Sequence, residues 1–393
     1  MNYYQMIQKG LKYKYYEGIN LRKDIDLNTD ARRYIEEYFQ QGQKFNVLYN
    51  RNQELLLNSM RRSHMISLYG LGAFVLSKSN LSNLISRTYL DIIPSTLIND
   101  YNNSPYYYWF LTALYHDIGY NHAININFDY DLFNYKNSCR AVIDNCQNPL
   151  SKKIFQKYFD NRFDYSYMIR KSISEPYYRY LNIYEYSPYI LNSYYHPGVY
   201  KKYYSSRNLE LKTNPQGEEI IEHGIYGGKL FFNNIIRAMI ECTNNYQTYN
   251  DEYWRNGSLV WFPEQLDIFK DIGMVIATHN MWKSAFLRYE IKSSFRRISK
   301  NNPLSYLLCI CDNIDLYKHL FWEGINQPRN TSEIIEIMEK VDVSFDGKSF
   351  KMSSDQFEFE QTFKKIYDNI IAYIDVDVDI DNREGIHSIK ITF

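Results

Sequence analysis

No stretch of this 393-residue chain supplies the roughly 18 or more consecutive apolar residues that a membrane-spanning helix needs. The opening MNYYQMIQKGLKYKYYEG lacks an uninterrupted apolar core and a small-residue cleavage pattern, so neither a signal peptide nor a membrane anchor is expected there. An excess of one charge is missing too: Lys plus Arg and Asp plus Glu each total 45, a formal net charge of zero. That excludes a global field drawing the protein to nucleic acid or anionic lipid, and leaves room only for a local basic patch. Cysteine is scarce: Cys139, Cys146, Cys242, Cys309 and Cys311 are an odd number without the paired spacing of a zinc ribbon or a disulfide framework. They are expected to be reduced, with Cys309 and Cys311 acting as small core residues in an apolar run. These absences together predict a soluble, cytoplasmic protein. What is abundant is tyrosine, 41 residues, which alongside many Asn, Ile and Lys reads as a compositional bias rather than an aromatic-binding device. The length suffices for one large domain with insertions, or for a main domain with a smaller companion.

Along the chain, residues 1–50 are polar and tyrosine-rich, with a short helix expected near Ala31–Gln41, and read as a segment wrapping the main domain. From Asn52 to Lys78, Leu55, Leu56, Met60, Ile66, Leu68, Leu71 and Val75 fit a long helix carrying His64. A second helix should start at Pro105 and stop near Gly119, with His116 and Asp117 in its last turn. Residues 121–216 are aromatic, broken by prolines and only patchily periodic, and read as an insertion of the lid or substrate-shaping kind. A helix then follows Asn214 and Pro215 and holds His223, with Gly224, Gly227 and Gly228 permitting close approach by another helix or a ligand. A further insertion, about 243–262, precedes a helix over Glu264–Trp282 with His279 near its end. The next helix runs from Asn302 and Pro303 through to His319, with Asp312 in its centre. The expected domains are therefore 1–50, 51–331 with its insertions, and 332–393. In the last, VDVSFDGKSFKM predicts a hairpin at Asp346-Gly347, followed by an amphipathic helix and two strands. The fold class is mainly α: a helical bundle with insertions and a small C-terminal α+β domain.

A lone His-Asp pair carries little information. Here, however, four expected helices offer a histidine, a carboxylate or both, namely His64, His116 with Asp117, His223 and His279, and a fifth offers Asp312. Imidazole nitrogen and carboxylate oxygen suit divalent and trivalent cations, and a bundle interior lets side chains from several helices converge on one ion. As an ordered set they point to a metal site, where each histidine alone would read as structural. His122 and His196 fit no ligand position, and His319, two helical turns beyond Asp312, reads as structural.

The order H…HD…H…H…D resembles the HD superfamily of metal-dependent phosphohydrolases, and YHDIGY, EHGIYGGKL and PLSYLLCICDNID resemble its local signatures. The similarity covers roughly residues 52–325, the insertions excepted. It implies an HD-domain bundle in which His64, His116, Asp117 and Asp312 hold a first metal and Asp117, His223 and His279 a second, with Asp117 as the bridge. The ions would be divalent or transition metals: Fe or Mn, or also Mg, Zn, Ni or Co. Such a pair lowers the pKa of a bridging water, aims it at phosphorus and stabilises the leaving oxygen. The implied substrate is a small phosphorylated molecule, a nucleotide or cyclic nucleotide above all, and not a membrane or a nucleic acid. One departure is Tyr120, which stands where many binuclear members, reading HDIGK, carry a lysine near a substrate phosphate. Another cation should then take that role: Lys229 and Lys283, a turn beyond His223 and His279, are candidates, as are Arg61, Arg62 and Arg140.

Two other readings share these residues. A mixed-valence di-iron oxygenase of the inositol oxygenase group can use the same six ligands, because a ligand set fixes metal binding better than it fixes the reaction. A nucleotide sensor with a structural metal would use the N-terminal segment and the tail for partner binding or for a homodimer.

Overall fold

The computed structural model describes residues 1–13, 26–40, 59–90, 104–121, 265–279, 303–322, 329–374, 376–383 and 385–392, with scattered positions between 140 and 156 and between 227 and 235. Most of both expected insertions and of the helix carrying His223 lies outside the described residues. The architecture is mostly helical, with one small antiparallel sheet near the C-terminus. Among the described residues, the helices before the tail are α1 Tyr3–Leu11, α2 Ala31–Gln40, α3 Ser59–Lys78, α4 Leu81–Leu90, α5 Pro105–Tyr115, α6 Gln265–Thr278, α7 Pro303–Ile314 and α8 Leu316–Trp322. The tail holds α9 Thr331–Met338, β1 Asp342–Phe345, β2 Ser349–Ser354, α10 Glu358–Tyr373, β3 Asp377–Arg383 and β4 Ile386–Thr392.

Local chemistry accounts for several boundaries. Ser104 accepts the Tyr107 N–H and Pro105 takes the first helical position, where a missing N–H costs nothing, so α5 starts where the proline predicts. Asn2 with Gln5 and Asn330 with Glu333 form reciprocal capping boxes that start α1 and α9. The sequence pattern alone does not announce α1, α4 or α9, and the expected boundary at 332 falls inside α9.

Helix α3 packs against α1, α2, α4, α5, α7 and α8, and every residue of α7 is buried among α3, α4, α5, α6 and α10. An element apolar on all sides belongs in the interior. The four strands run in the order β1-β2-β4-β3, all antiparallel, with Phe345 opposite Phe350 across the turn at Gly347 (φ 89°) as the Asp-Gly signal predicts. Phe350, Met352, Ile389 and Ile391 are buried with Phe359, Phe363, Ile366 and Ile370 of α10, in one core continuous with the helical part. The N-terminus joins the tail: Met1 and Val343 exchange backbone hydrogen bonds, and Tyr3 N–H donates to Val341 O at 2.8 Å.

Two expected helices end early. The helix from Pro105 stops at Tyr115, followed by a 3₁₀ turn at Ile118–Asn121, so His116 and Asp117 lie just beyond it. The His116 ring occupies the Ala113 carbonyl that Asp117 N–H would take in a continued helix. The helix from Pro303 does not run through to His319: it breaks at Asp315, which puts Asp312 in the last turn of α7 rather than in the centre. The Asp315 carboxylate accepts the Tyr317 N–H, and Tyr3 Oη donates to Ile314 O while accepting Leu316 N–H, so side chains take over hydrogen bonds of the helical ladder.

Candidate metal centre

Five of the predicted ligands meet at one buried point. His64 comes from the second turn of α3, His116 and Asp117 from just beyond α5, His279 from just beyond α6 and Asp312 from the end of α7. His64 Nε2 lies 3.2 Å from His116 Nε2, 3.5 Å from Asp117 Oδ2 and 3.9 Å from Asp312 Oδ1. His116 Nε2 is 3.4 Å from Asp117 Oδ1 and 3.8 Å from Asp312 Oδ1, and His279 Nε2 is 3.9 Å from Asp117 Oδ1. Asp117 therefore turns one oxygen to His64 and the other to His116 and His279. The sixth predicted ligand, His223, lies outside the described residues.

The other nitrogen of each ring decides what these Nε2 atoms offer. His116 Nδ1 is 2.8 Å from Ala113 O and His279 Nδ1 is 2.7 Å from Ile276 O, each ring folding back on the carbonyl three residues earlier. His64 Nδ1 is 2.6 Å from Asp315 Oδ2. Carbonyls and carboxylates only accept, so each Nδ1 donates, and in the neutral form of each ring Nε2 presents a lone pair inward. Burial lowers the His116 pKa, and the His64 ring adds to this, while Asp117 and Asp312 oppose it. A doubly protonated His116, the form that could donate from Nε2 to His64, is thus disfavoured. Two lone pairs facing each other at 3.2 Å repel unless a cation lies between them. For metal–nitrogen bonds of about 2.0–2.1 Å, neighbouring ligand atoms are separated by roughly 2.8–3.4 Å. The 3.2 Å between the His64 and His116 nitrogens falls in that range, and His64, His116 and Asp312 form a buried group able to hold a metal ion, their ligand atoms all within 4.8 Å of one another.

Two residues missed by the sequence reading complete the surroundings. Asp315 accepts from His64 Nδ1, from Ser67 Oγ at 2.8 Å and from Tyr317 N–H at 3.2 Å, the carboxylate–histidine arrangement that fixes ring orientation at metal sites. Lys318 Nζ reaches Asp312 Oδ1 at 2.5 Å. Burial pulls its pKa down, but Asp312, Asp117 and Asp315 outweigh this and raise it, so it is a firm cation. Among the cations foreseen, Arg61 lies 3.9 Å from Asp117 Oδ2. Arg62 faces α2 instead, its pKa lowered by burial and the Arg32 charge against the pull of Glu36. Arg140 is exposed, and Lys229, Lys283 and the side chain of Tyr120 lie outside the described residues.

The helix predicted to carry His223 touches the site through its described positions. A Cβ on Gly227 would stand 3.3 Å from Ile118 and 3.4 Å from Ile276, neighbours of Asp117 and of His279 in sequence. The expected close approach is therefore observed at this glycine. Phe231 continues the contact, its ring centroid 5.0 Å from that of Tyr115. His319 is buried and bonds to Asn313 O at 2.7 Å, a structural role. Cys146, Cys309 and Cys311 are buried free thiols, and Cys139 and Cys242 lie outside the described residues. No described helix is long and apolar enough to cross a membrane.

Comparison of the chain with protein-family models, with curated proteins and with solved structures returns no match.

Proposed function

We propose that the chain is a metal-dependent phosphohydrolase of the HD type, cleaving a phosphoester or phosphoanhydride bond in a nucleotide, cyclic nucleotide or similar small phosphorylated molecule. The observation that carries this reading is the convergence of three inward-facing imidazole Nε2 atoms on Asp117 and Asp312 in a buried site. In it, His64, His116, Asp117 and Asp312 hold one ion, and Asp117, His279 and His223 a second, with iron or manganese suited to this nitrogen–oxygen donor set. Bound metal supplies Lewis acidity and water activation at neutral pH.

The protein's own groups do the rest. Asp315 and the carbonyls of Ala113 and Ile276 keep the ring protons on Nδ1, so no rearrangement is needed when the Nε2 lone pairs are used. Burial of the centre keeps its electrostatic interactions strong. Arg61 and Lys318 hold positive charge at its edge.

The test is elemental analysis of protein purified without chelator, with phosphate or monoester release from a nucleotide panel measured on the same sample. About two transition-metal ions per chain and release abolished in Asp117→Ala are the expected results. Absence of metal after loading overturns the site itself. Turnover that needs dioxygen, without phosphate release, replaces the hydrolase with the di-iron oxygenase.

A further inference from the structure

We propose that Lys318 and Arg61 together form the oxyanion-binding side of the metal centre, receiving the phosphoryl oxygens of the substrate. The proposal rests on the phosphohydrolase reading and assigns the part of the site that recognises charge.

Access is the first argument. The side chains of His64, His116, Asp117, His279 and Asp312 are at most 7 % exposed, whereas Arg61 keeps 16 % and Lys318 22 % of its surface. Among the described residues of this cluster, the two cations are therefore the more accessible members, and a ligand arriving from that side meets them first.

Placement is the second. Arg61 addresses Asp117 Oδ2, the oxygen nearer His64, and Lys318 addresses Asp312 Oδ1, which lies 3.9 Å from His64 Nε2. Both therefore hold carboxylate oxygens that face His64, and the Asp312 oxygen also lies 3.8 Å from His116 Nε2. An ammonium has three donors and Asp312 takes one, while an arginine fork matches two phosphate oxygens at once. A carboxylate has lone pairs enough to keep Lys318 and still bind a metal.

Charge is the third. Among the described residues, three carboxylates, Asp117, Asp312 and Asp315, stand against Arg61 and Lys318, an excess of one acidic group. A single divalent ion reverses that sign and a second makes the site strongly positive, so the loaded centre calls for an anionic ligand.

The experiment compares parent protein with Lys318→Gln, Arg61→Gln and Lys318→Arg, measuring metal content and then calorimetric binding of inorganic phosphate to the metal-loaded form. The expected result is unchanged metal content in all four, phosphate affinity roughly tenfold or more weaker in each Gln variant, and recovery in Lys318→Arg. Phosphate affinity within about twofold of the parent in both Gln variants, at full metal content, overturns this inference and leaves the metal centre standing. Loss of metal from Lys318→Gln also overturns it, since Lys318 would then serve Asp312 alone. Failure of the parent protein to take up metal instead strikes the reading on which the proposal is built.

Discussion

At the scale of single residues, Asp315 determines how His64 is presented. Its carboxylate collects the His64 ring, the Ser67 hydroxyl and the Tyr317 amide, so one negative charge fixes a tautomer, a rotamer and a chain break. Replacing Asp315 with Asn keeps an acceptor but removes the charged partner that orients the ring. Metal affinity should fall by roughly 10- to 100-fold, as a competition titration against a chelating dye would show. Unchanged affinity would mean that His64 is not a ligand. Another residue-scale effect lies far from the site, in the turn of β1 and β2. Asp346 accepts hydrogen bonds from Ser349 Oγ, Ser349 N–H and Lys348 N–H, which hold its carboxyl down at about 2 against an ordinary 3.8. A depressed folded-state value means that its stabilisation is present above pH 3.8 and is lost as pH falls through about 2. The Ser349 amide resonance should therefore titrate with a midpoint near 2, and a midpoint at 3.8 would refute the turn geometry.

Among the elements, what was legible in the sequence was whatever short-range chemistry decides. Ser104-Pro105 and Pro303 announce α5 and α7, Asp346-Gly347 announces the hairpin, and the ordered histidines and aspartates announce most of the centre. Asp315 and Lys318 stayed hidden because the break between α7 and α8 depends on partners over 240 residues away in sequence, Ser67 and His64, and more than 300 away at Tyr3. Only with that break known does the path of α8 bring Lys318 back to Asp312. Helix α1 escaped notice because its buried face of Tyr3, Met6, Ile7 and Leu11 sits in a chain where tyrosine is everywhere. Its seat on α3 is nevertheless tight: a Cβ on Gly10 would stand only 1.7 Å from Gly70 O, so the two backbones touch. Gly10→Ala should destabilise the fold by about 1–3 kcal/mol, seen as a lower urea midpoint with an unchanged slope. A midpoint equal to the parent's would show that α1 does not rest there.

Across the whole molecule, the first residues tie the sheet to the break beside the candidate metal site. Met1 and Tyr3 bond to Val343 and Val341 beside and within β1, while the Tyr3 hydroxyl bridges Ile314 O and Leu316 N–H on either side of Asp315. Tyr3→Phe strips both backbone groups of that partner in a buried setting and should cost about 1–3 kcal/mol by chemical denaturation. A neutral result would mean that the break between α7 and α8 holds itself. The same feature sets a timetable for the nascent chain. Tyr3 leaves the ribosome 311 residues before its acceptor Ile314, an interval of roughly 15–60 s at about 5–20 residues per second. Helix α3 is synthesised early enough to shelter α1 during that wait, but the hydroxyl that spans the break finds its partners only once the chain has been made through Leu316. The contact of Tyr3 with the break therefore forms after α1 and α3 can pair, and the meeting of Asp312 with His64 likewise waits for the synthesis of α7.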